Sequence, residues 1–156
     1  MMIAYPIFAI GSASRSLTGI SSCTSPGPLG TDLPLDAVTI LLVEDEALLA
    51  LDLQATLEEA GATVIGPIAS LTKAITAARE ARYDAAVLDI DLQGQSVLPA
   101  AAIIAGRGIP FLFHTAYGED LAGAGEFDDV PLCSKPTDPE ELVRVLHGLL
   151  NKGRRN

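Results

Sequence analysis

The chain has 156 residues, a formal charge of −10 and a sequence pI near 4.4, so it lacks the Lys and Arg excess that non-specific nucleic-acid binding requires. Apolar residues make up 49% of it, enough for one core of single-domain size, while 4% aromatics and no Trp leave no platform on which bases could stack. Cys23 and Cys133 lie far apart in unlike contexts, which excludes a disulfide framework or a metal-ligand cluster and fits a reducing cytoplasm.

The chain opens on material unlike the rest. Met1–Ile10 is apolar but far short of the roughly twenty residues that span a bilayer. It lacks a basic start, and Arg15 follows the apolar run instead of preceding it, against a signal peptide. Ser21–Gly30 is dense in Ser, Pro and Gly and has no periodicity, as a linker would. Residues 1–36 are therefore expected to be a disordered extension, or the product of a start assigned too far upstream. Nothing later in the chain reads as transmembrane.

From residue 37 to 150 the order is regular. A strand at Val38–Val43 leads into a helix over Glu46–Ala60, where Leu48, Leu49, Leu51, Leu53 and Leu57 supply a broad apolar face ended by Gly61. Ala62–Gly66 is a short second strand, and Gly66-Pro67 turns the chain out of it. Ser70 precedes a helix over Leu71–Arg82, and a third strand, Ala85–Leu88, ends at Asp89. Gln93-Gly94-Gln95 is loop, Ser96–Ala105 is an Ala-rich helix, and Ile109–His114 is the fourth strand. Glu119–Gly125 is a weak, Gly-containing helix. A fifth strand ends at Lys135-Pro136, and Asp138 caps a last helix over Glu140–Leu150, followed by a short polar tail at residues 151–156. Strands alternating with helices argue for a parallel sheet covered on both faces, with no segment left for an output domain.

Four polar sites follow these apolar strands: Glu44-Asp45, Asp89, Thr115 and Lys135. In an open parallel sheet, residues just past the carboxyl ends of the strands share one crevice. Taken alone, Asp45 reads first as a helix N-cap, Thr115 as a β-former with a local hydrogen bond, and Lys135 as a solvated charge. Asp89, however, interrupts a buried run, where a lone carboxylate is costly. Three carboxylates within about 5 Å repel one another by a few kcal/mol per pair even at an effective dielectric near 20. A bound cation removes that penalty, and hard oxygen ligands suit Mg2+ with retained waters. Asp89 can then act as a nucleophile that forms an acyl phosphate.

The motifs Leu41-Leu42-Val43-Glu44-Asp45-Glu46, Val87-Leu88-Asp89-Ile90-Asp91, Thr115-Ala116 and Ser134-Lys135-Pro136, in this order, resemble those of bacterial response-regulator receiver domains. The resemblance covers Asp36 to Leu150. It implies an α/β fold, a flavodoxin-like (βα)5 three-layer sandwich with a five-stranded parallel sheet. It implies that Asp89 is the phosphoacceptor, and that Asp45 holds Mg2+ directly and Glu44 through water. The backbone carbonyl of Asp91 would be a further ligand, Thr115 the switch hydroxyl and Lys135 the phosphate-binding lysine. Pro110–Gly118 is similar to the PFxFATGY motif of the FAT GUY single-domain regulators, a subgroup associated with alphaproteobacteria and with HWE-type or related histidine kinases. His114 stands here for Ala and Ala116 for Gly.

Other departures bear on signalling. Leu132 stands where many receivers carry an aromatic residue coupled to the switch hydroxyl, and Tyr117 is either its substitute or an ordinary loop residue. Asp91 is acidic where Asn is frequent. His114 reads as a packed strand-end residue rather than a second phosphoacceptor, and His147 as a partner of the last helix's dipole.

Rival functions come from other classes. Asp89-Ile90-Asp91 also occurs as the Asp-x-Asp of haloacid-dehalogenase-like phosphatases, but Gln93 stands where those enzymes usually carry Thr. A phosphate-independent pseudo-receiver usually lacks acidic or Lys positions that are all present here. A dinucleotide-binding domain would show a Gly-rich fingerprint after the first strand, and none follows. The expectation is a stand-alone, cytoplasmic, Mg2+-dependent phosphoacceptor rather than an enzyme. Its partners would be a histidine kinase and a downstream protein, without nucleic acid or membrane.

Overall fold

The computed structural model describes residues 34–116 and 125–153. In chain order these form β1 (Thr39–Val43), α1 (Ala47–Glu59), β2 (Thr63–Ile68), α2 (Leu71–Glu80), β3 (Ala85–Asp89), a ribbon of β4 (Asp91–Leu92) and β5 (Gln95–Ser96), and α3 (Leu98–Gly106). They continue with β6 (Phe111–Ala116), a 3-10 turn at Gly125–Phe127, β7 (Leu132–Lys135) and α4 (Pro139–Gly153). The five longer strands pair in parallel in the order β2-β1-β3-β6-β7, the flavodoxin-like arrangement. The chain builds outward from β1 first to β2 and then, in the other direction, to β3. The switch point, where ligands of such sheets bind, therefore falls between β1 and β3.

The pleat divides the core in two. Leu41, Val43, Ala86, Leu88, Phe111 and Phe113 face the side covered by α2 and α3. Ile40, Leu42, Ala85, Val87, Leu112 and Cys133 face Leu53 and Leu57 of α1 and Leu142 and Leu146 of α4. The period-two alternation explains why strands buried on both faces are apolar at every position. Phe111, Phe113 and Phe127 meet edge to face, with ring centroids 5.5 to 6.0 Å apart, and fix the 3-10 turn to the first of these layers.

Several expected boundaries move. The buried stripe of α1 is Ala50, Leu53 and Leu57, so the apolar face is narrower than the sequence suggests; Leu48 and Leu51 are 80% and 60% exposed. β2 does not stop at Gly66 but runs through Gly66-Pro67 to Ile68, with a register shift opposite Leu41 and Val43. An edge strand with a bulge accepts a proline that an inner strand would not. Gly66 has φ of 118°, and a Cβ there would collide with the carbonyl oxygen of Leu42. β6 starts at Phe111 and reaches Ala116, two residues beyond the expected end, so Thr115 lies within the strand.

The segment read as plain loop is a hairpin. Gln93 and Gly94 both take positive φ, 57° and 83°, as a tight two-residue turn between β4 and β5 requires. At the amino end, Leu35 is wholly buried in the α1–α4 layer and its N–H donates to Ala60 O, so the packed frame begins before residue 37. α4 continues past Leu150 to Gly153, into the expected tail. The extension at residues 1–33, Tyr117, most of the weak helix at Glu119–Gly125 and residues 154–156 lie outside the described residues. Among the described residues no helix is long and apolar enough to cross a membrane.

Candidate functional site

Strand ends place the site. β1 and β3 pair in register from Ile40 with Ala85 to Val43 with Leu88, which brings the residues that follow, Glu44 and Asp89, to the same level. Carboxylate oxygens of Glu44, Asp45 and Asp89 lie within 4.8 Å of one another. Glu44 and Asp89 are buried, and Asp45 is half-buried. The sequence expectation that these acids converge is met.

Asp45 is not a helix cap. Glu46 occupies the N-cap position of α1 and makes no side-chain cap bond. Asp45 Oδ2 instead accepts the N–H of Gln93 at 3.0 Å, tying the acid site to the β4–β5 hairpin. Glu44 Oε1 turns back to accept the N–H of Glu46 at 3.1 Å, which fixes its rotamer. Asp91 points elsewhere: its side chain is exposed and Oδ1 accepts the N–H of Gly94, closing the hairpin turn.

Lys135, the last residue of β7, reaches across β6 into this cluster. Its Nζ stands 2.8 Å from Asp89 Oδ2, and 3.3 Å and 3.1 Å from the two oxygens of Glu44. One ammonium thus pairs with two of the three clustered carboxylates, so the site retains a net negative charge. Burial pushes the Asp89 carboxyl up to about 7, reinforced by the neighbouring Glu44 charge and opposed by Lys135. Burial also acts upward on Glu44, but Asp89, the Glu46 N–H and Lys135 outweigh it and hold that carboxyl below the usual carboxylate range. Burial depresses the Lys135 ammonium, yet its bonds to Asp89 and Glu44 more than compensate and raise it. Within this acid pair the upward shift falls on Asp89 and the downward shift on Glu44.

Thr115 is buried one residue beyond His114, which is in register with Asp89, and it pairs with Ser134 on β7. Its hydroxyl donates to Ala116 O at 3.3 Å. Leu132 is 44% exposed on β7 and carries no ring. His147 lies on α4 beside Asn151, one turn further along, with ring–amide distances of 3.2 and 3.4 Å.

Sequence reasoning missed how deeply His114 enters the site. It is wholly buried, its Nε2 lies 2.9 Å from Thr137 Oγ1, and its Nδ1 lies 3.6 Å from Glu44 Oε2. An ionisable residue inside an otherwise apolar strand, directly before Thr115, was the available clue. Thr137 left none, since only the fold brings it beneath β6.

Three carboxylates with hard oxygens, one of them half-exposed, fit a small divalent cation that keeps several waters. The same crevice offers a carboxylate nucleophile, an ammonium and a hydroxyl-bearing strand end, a set suited to phosphoryl chemistry. The family model for the response regulator receiver domain matches residues 40–147. The phyllosphere-induced regulator PhyR of Methylorubrum extorquens is 35% identical over 121 residues, covering 75% of this chain. The chain spans only 45% of that relative's length. A response regulator receiver protein from Sinorhizobium medicae superposes with a TM-score of 0.68 at 30% identity, covering 76% of this chain and 98% of its own. The receiver domain of sensor histidine kinase PA1611 from Pseudomonas aeruginosa, 27% identical with a TM-score of 0.63, covers 73% of this chain and 98% of its own. That structure has a magnesium ion coordinated in its active-site cleft.

Proposed function

The chain belongs to the response regulator receiver domain family, and from that premise we propose that it takes a phosphoryl group onto Asp89 from a histidine kinase and signals through protein contacts. The observation that carries this reading is the ion pair of Lys135 with Asp89 and Glu44 inside a cluster of three carboxylates. A carboxylate held against an ammonium at a strand end can attack phosphorus, and the ammonium can then follow the charge to a phosphoryl oxygen.

In the proposed reaction an oxygen of ionised Asp89 forms the new P–O bond as the P–N bond of the donor phosphohistidine breaks, and the imidazole leaves with the bonding pair. Glu44, Asp45 and Asp89 would hold Mg2+ together with the backbone carbonyl of Asp91. When bound, the cation would offset the negative charge of the reacting oxygens. Lys135 and Thr115 would donate to the phosphoryl oxygens. The phosphoryl group adds about −1.5 to −2 charge, which draws the ends of β6 and β7 toward Asp89. Later attack of water on phosphorus breaks the bond from Asp89 oxygen to phosphorus, releases inorganic phosphate and restores the carboxylate. The domain acts as a cytoplasmic signalling switch rather than a turnover enzyme, and its donor is a kinase of the HWE type or a related class.

A phosphatase of the Asp-x-Asp type would need the Asp91 carboxyl as a proton donor into the site. Its bond to Gly94 N–H and its exposure argue against that role. A scaffold without phosphate chemistry would have no use for buried Asp89 and its Lys135 partner. The deciding experiment incubates the protein with acetyl phosphate and Mg2+ and maps the modified residue by mass spectrometry, in wild type and Asp89→Asn. Label confined to Asp89 and absent from the variant is expected. Undiminished labelling of the variant sinks the reading.

A further inference from the structure

His114 is wholly buried, yet only one of its ring nitrogens is hydrogen-bonded. Thr137 Oγ1 donates its proton to Ser134 O at 2.7 Å, so toward the ring it can only accept. Nε2 at 2.9 Å must therefore be the donor. The opposite nitrogen, Nδ1, faces Glu44 Oε2 at 3.6 Å, beyond hydrogen-bond reach, and finds no hydrogen-bond partner among the described residues. The ring thus fills the space between the Glu44 carboxylate and the segment Ser134–Thr137, which carries Lys135.

Both flanks of the ring matter to the acid site. On one side, Glu44 Oε2 lies between the imidazole, 3.6 Å away, and the Lys135 ammonium, 3.1 Å away. On the other, the hydrogen bond to Thr137 pins the chain two residues past Lys135, just before Asp138 accepts the N–H of Glu140 at the start of α4. A small residue at position 114 would leave a void behind Glu44 and free Thr137. An apolar residue of similar size would fill the void but leave Thr137 without its donor.

The geometry points to His114 as a positioning residue: its imidazole braces Glu44 against the Ser134–Thr137 segment and thereby sets where Lys135 Nζ stands relative to Asp89. This inference rests on the reading of Asp89 as phosphoacceptor. The ring touches neither donor nor phosphoryl group. It acts through Lys135 and Glu44, so its loss should slow the chemical step and leave donor binding intact.

The test uses the full chain with acetyl phosphate and Mg2+, in wild type, His114→Ala, His114→Gln and Thr137→Val. A misplacement near 1 Å can slow a reaction by up to about a hundredfold, and a partial shift of Lys135 is expected to cost about tenfold. His114→Ala and Thr137→Val should lower the maximal phosphorylation rate by that factor with the half-saturating donor concentration unchanged. His114→Gln should recover most of the rate, because its amide can donate to Thr137. Thr137→Val removes a single hydroxyl and keeps the inference decidable if His114→Ala does not fold. Nitrogen-15 spectra of the wild-type ring supply a readout independent of phosphorylation: a protonated Nε2 is expected, and a ring protonated on Nδ1 alone overturns the brace. Wild-type rates in both His114→Ala and Thr137→Val overturn it too, while leaving Asp89 as acceptor. If wild type labels elsewhere than Asp89, the phosphoacceptor reading falls, and the brace is judged by Mg2+ affinity instead. Weaker binding in Thr137→Val then supports it, and equal binding ends it.

Discussion

Lys135 and Asp89 form an ion pair of 2.8 Å although their strands, β7 and β3, are not neighbours. The lysine side chain passes over the end of β6 to reach the carboxylate, and its own side chain is 16% exposed while that of Asp89 is 5% exposed. A pair made at such a distance in the sheet holds the ends of three strands together. It also leaves Asp89 with a partner that any incoming anionic group must displace or share.

Removing that partner should be costly. In Lys135→Met at pH 8, above the Asp89 value of about 7, Glu44 and Asp89 remain buried with no ammonium between them, and breaking a buried pair in this way destabilises by about 3 kcal/mol. The metal-free variant should therefore melt well below wild type, and millimolar Mg2+ should restore much of the difference by supplying the missing charge. Equal melting of the two metal-free proteins would show that Lys135 contributes only at the surface of the site.

The acid pair sets a pH dependence with a definite sign. Asp89 is held at about 7 in the fold against an ordinary 3.8, so it keeps a proton that the unfolded chain gives up. Its contribution to stability is complete below the lower value and is lost as pH rises through the higher one. Glu44, held below its ordinary 4.5, contributes above that value and loses the contribution only in strong acid. Between about pH 5 and 7 Asp89 therefore dominates, and the metal-free protein should become less stable as pH rises. Mg2+ competes with the Asp89 proton, so its affinity should increase about tenfold from pH 6 to pH 8. Calorimetric titration at three pH values checks this, and a flat profile would mean that Asp89 is already ionised at pH 6.

Asp45→Ala separates the two things Asp45 can do. As a metal ligand its removal should weaken Mg2+ binding by at least about tenfold. As the acceptor for Gln93 N–H alone, its removal would loosen the β4–β5 hairpin and leave the Mg2+ isotherm unchanged. Amide exchange at Gln93 measured beside the isotherm distinguishes the outcomes.

The central strands and the convergence of Glu44, Asp45, Asp89 and Lys135 were legible in the sequence because each rests on a local pattern: an apolar run, then a charge. Boundaries that depend on tertiary partners were not. β2 continues through Pro67 because it is an edge strand, and no single segment announces which strand is outermost. Leu48 and Leu51 look like core residues until the helix angle is set by Ala50, Leu53 and Leu57. Gln93-Gly94 was a hairpin signal, but strands of two residues carry too little pattern to declare themselves. The Thr137 contact to His114 spans 23 residues between different elements and has no sequence signature.

The role of Thr115 can be separated from acceptance of phosphate. Its hydroxyl bonds to Ala116 O, and its backbone pairs with Ser134, so it joins β6 to the strand that carries Lys135. It is neither the proposed nucleophile nor a proposed ligand of Mg2+, and Thr115→Ala should therefore label on Asp89 at a rate within about threefold of wild type, since one neutral donor contributes modestly. What the variant should lose is the response to that label. Leu132 has no aromatic ring to turn, and among the described residues Thr115 sits on the β6–β7 seam, paired with Ser134, where it can pass the pull of the phosphoryl oxygens to the backbone. Amide shifts of Ala116, Ser134 and Lys135, recorded with and without a phosphoryl mimic, should move in wild type and move much less in the variant. If the variant shows the full wild-type response, Thr115 is a β-former packed at a strand end, and the change at Asp89 reaches the surface through Lys135 alone.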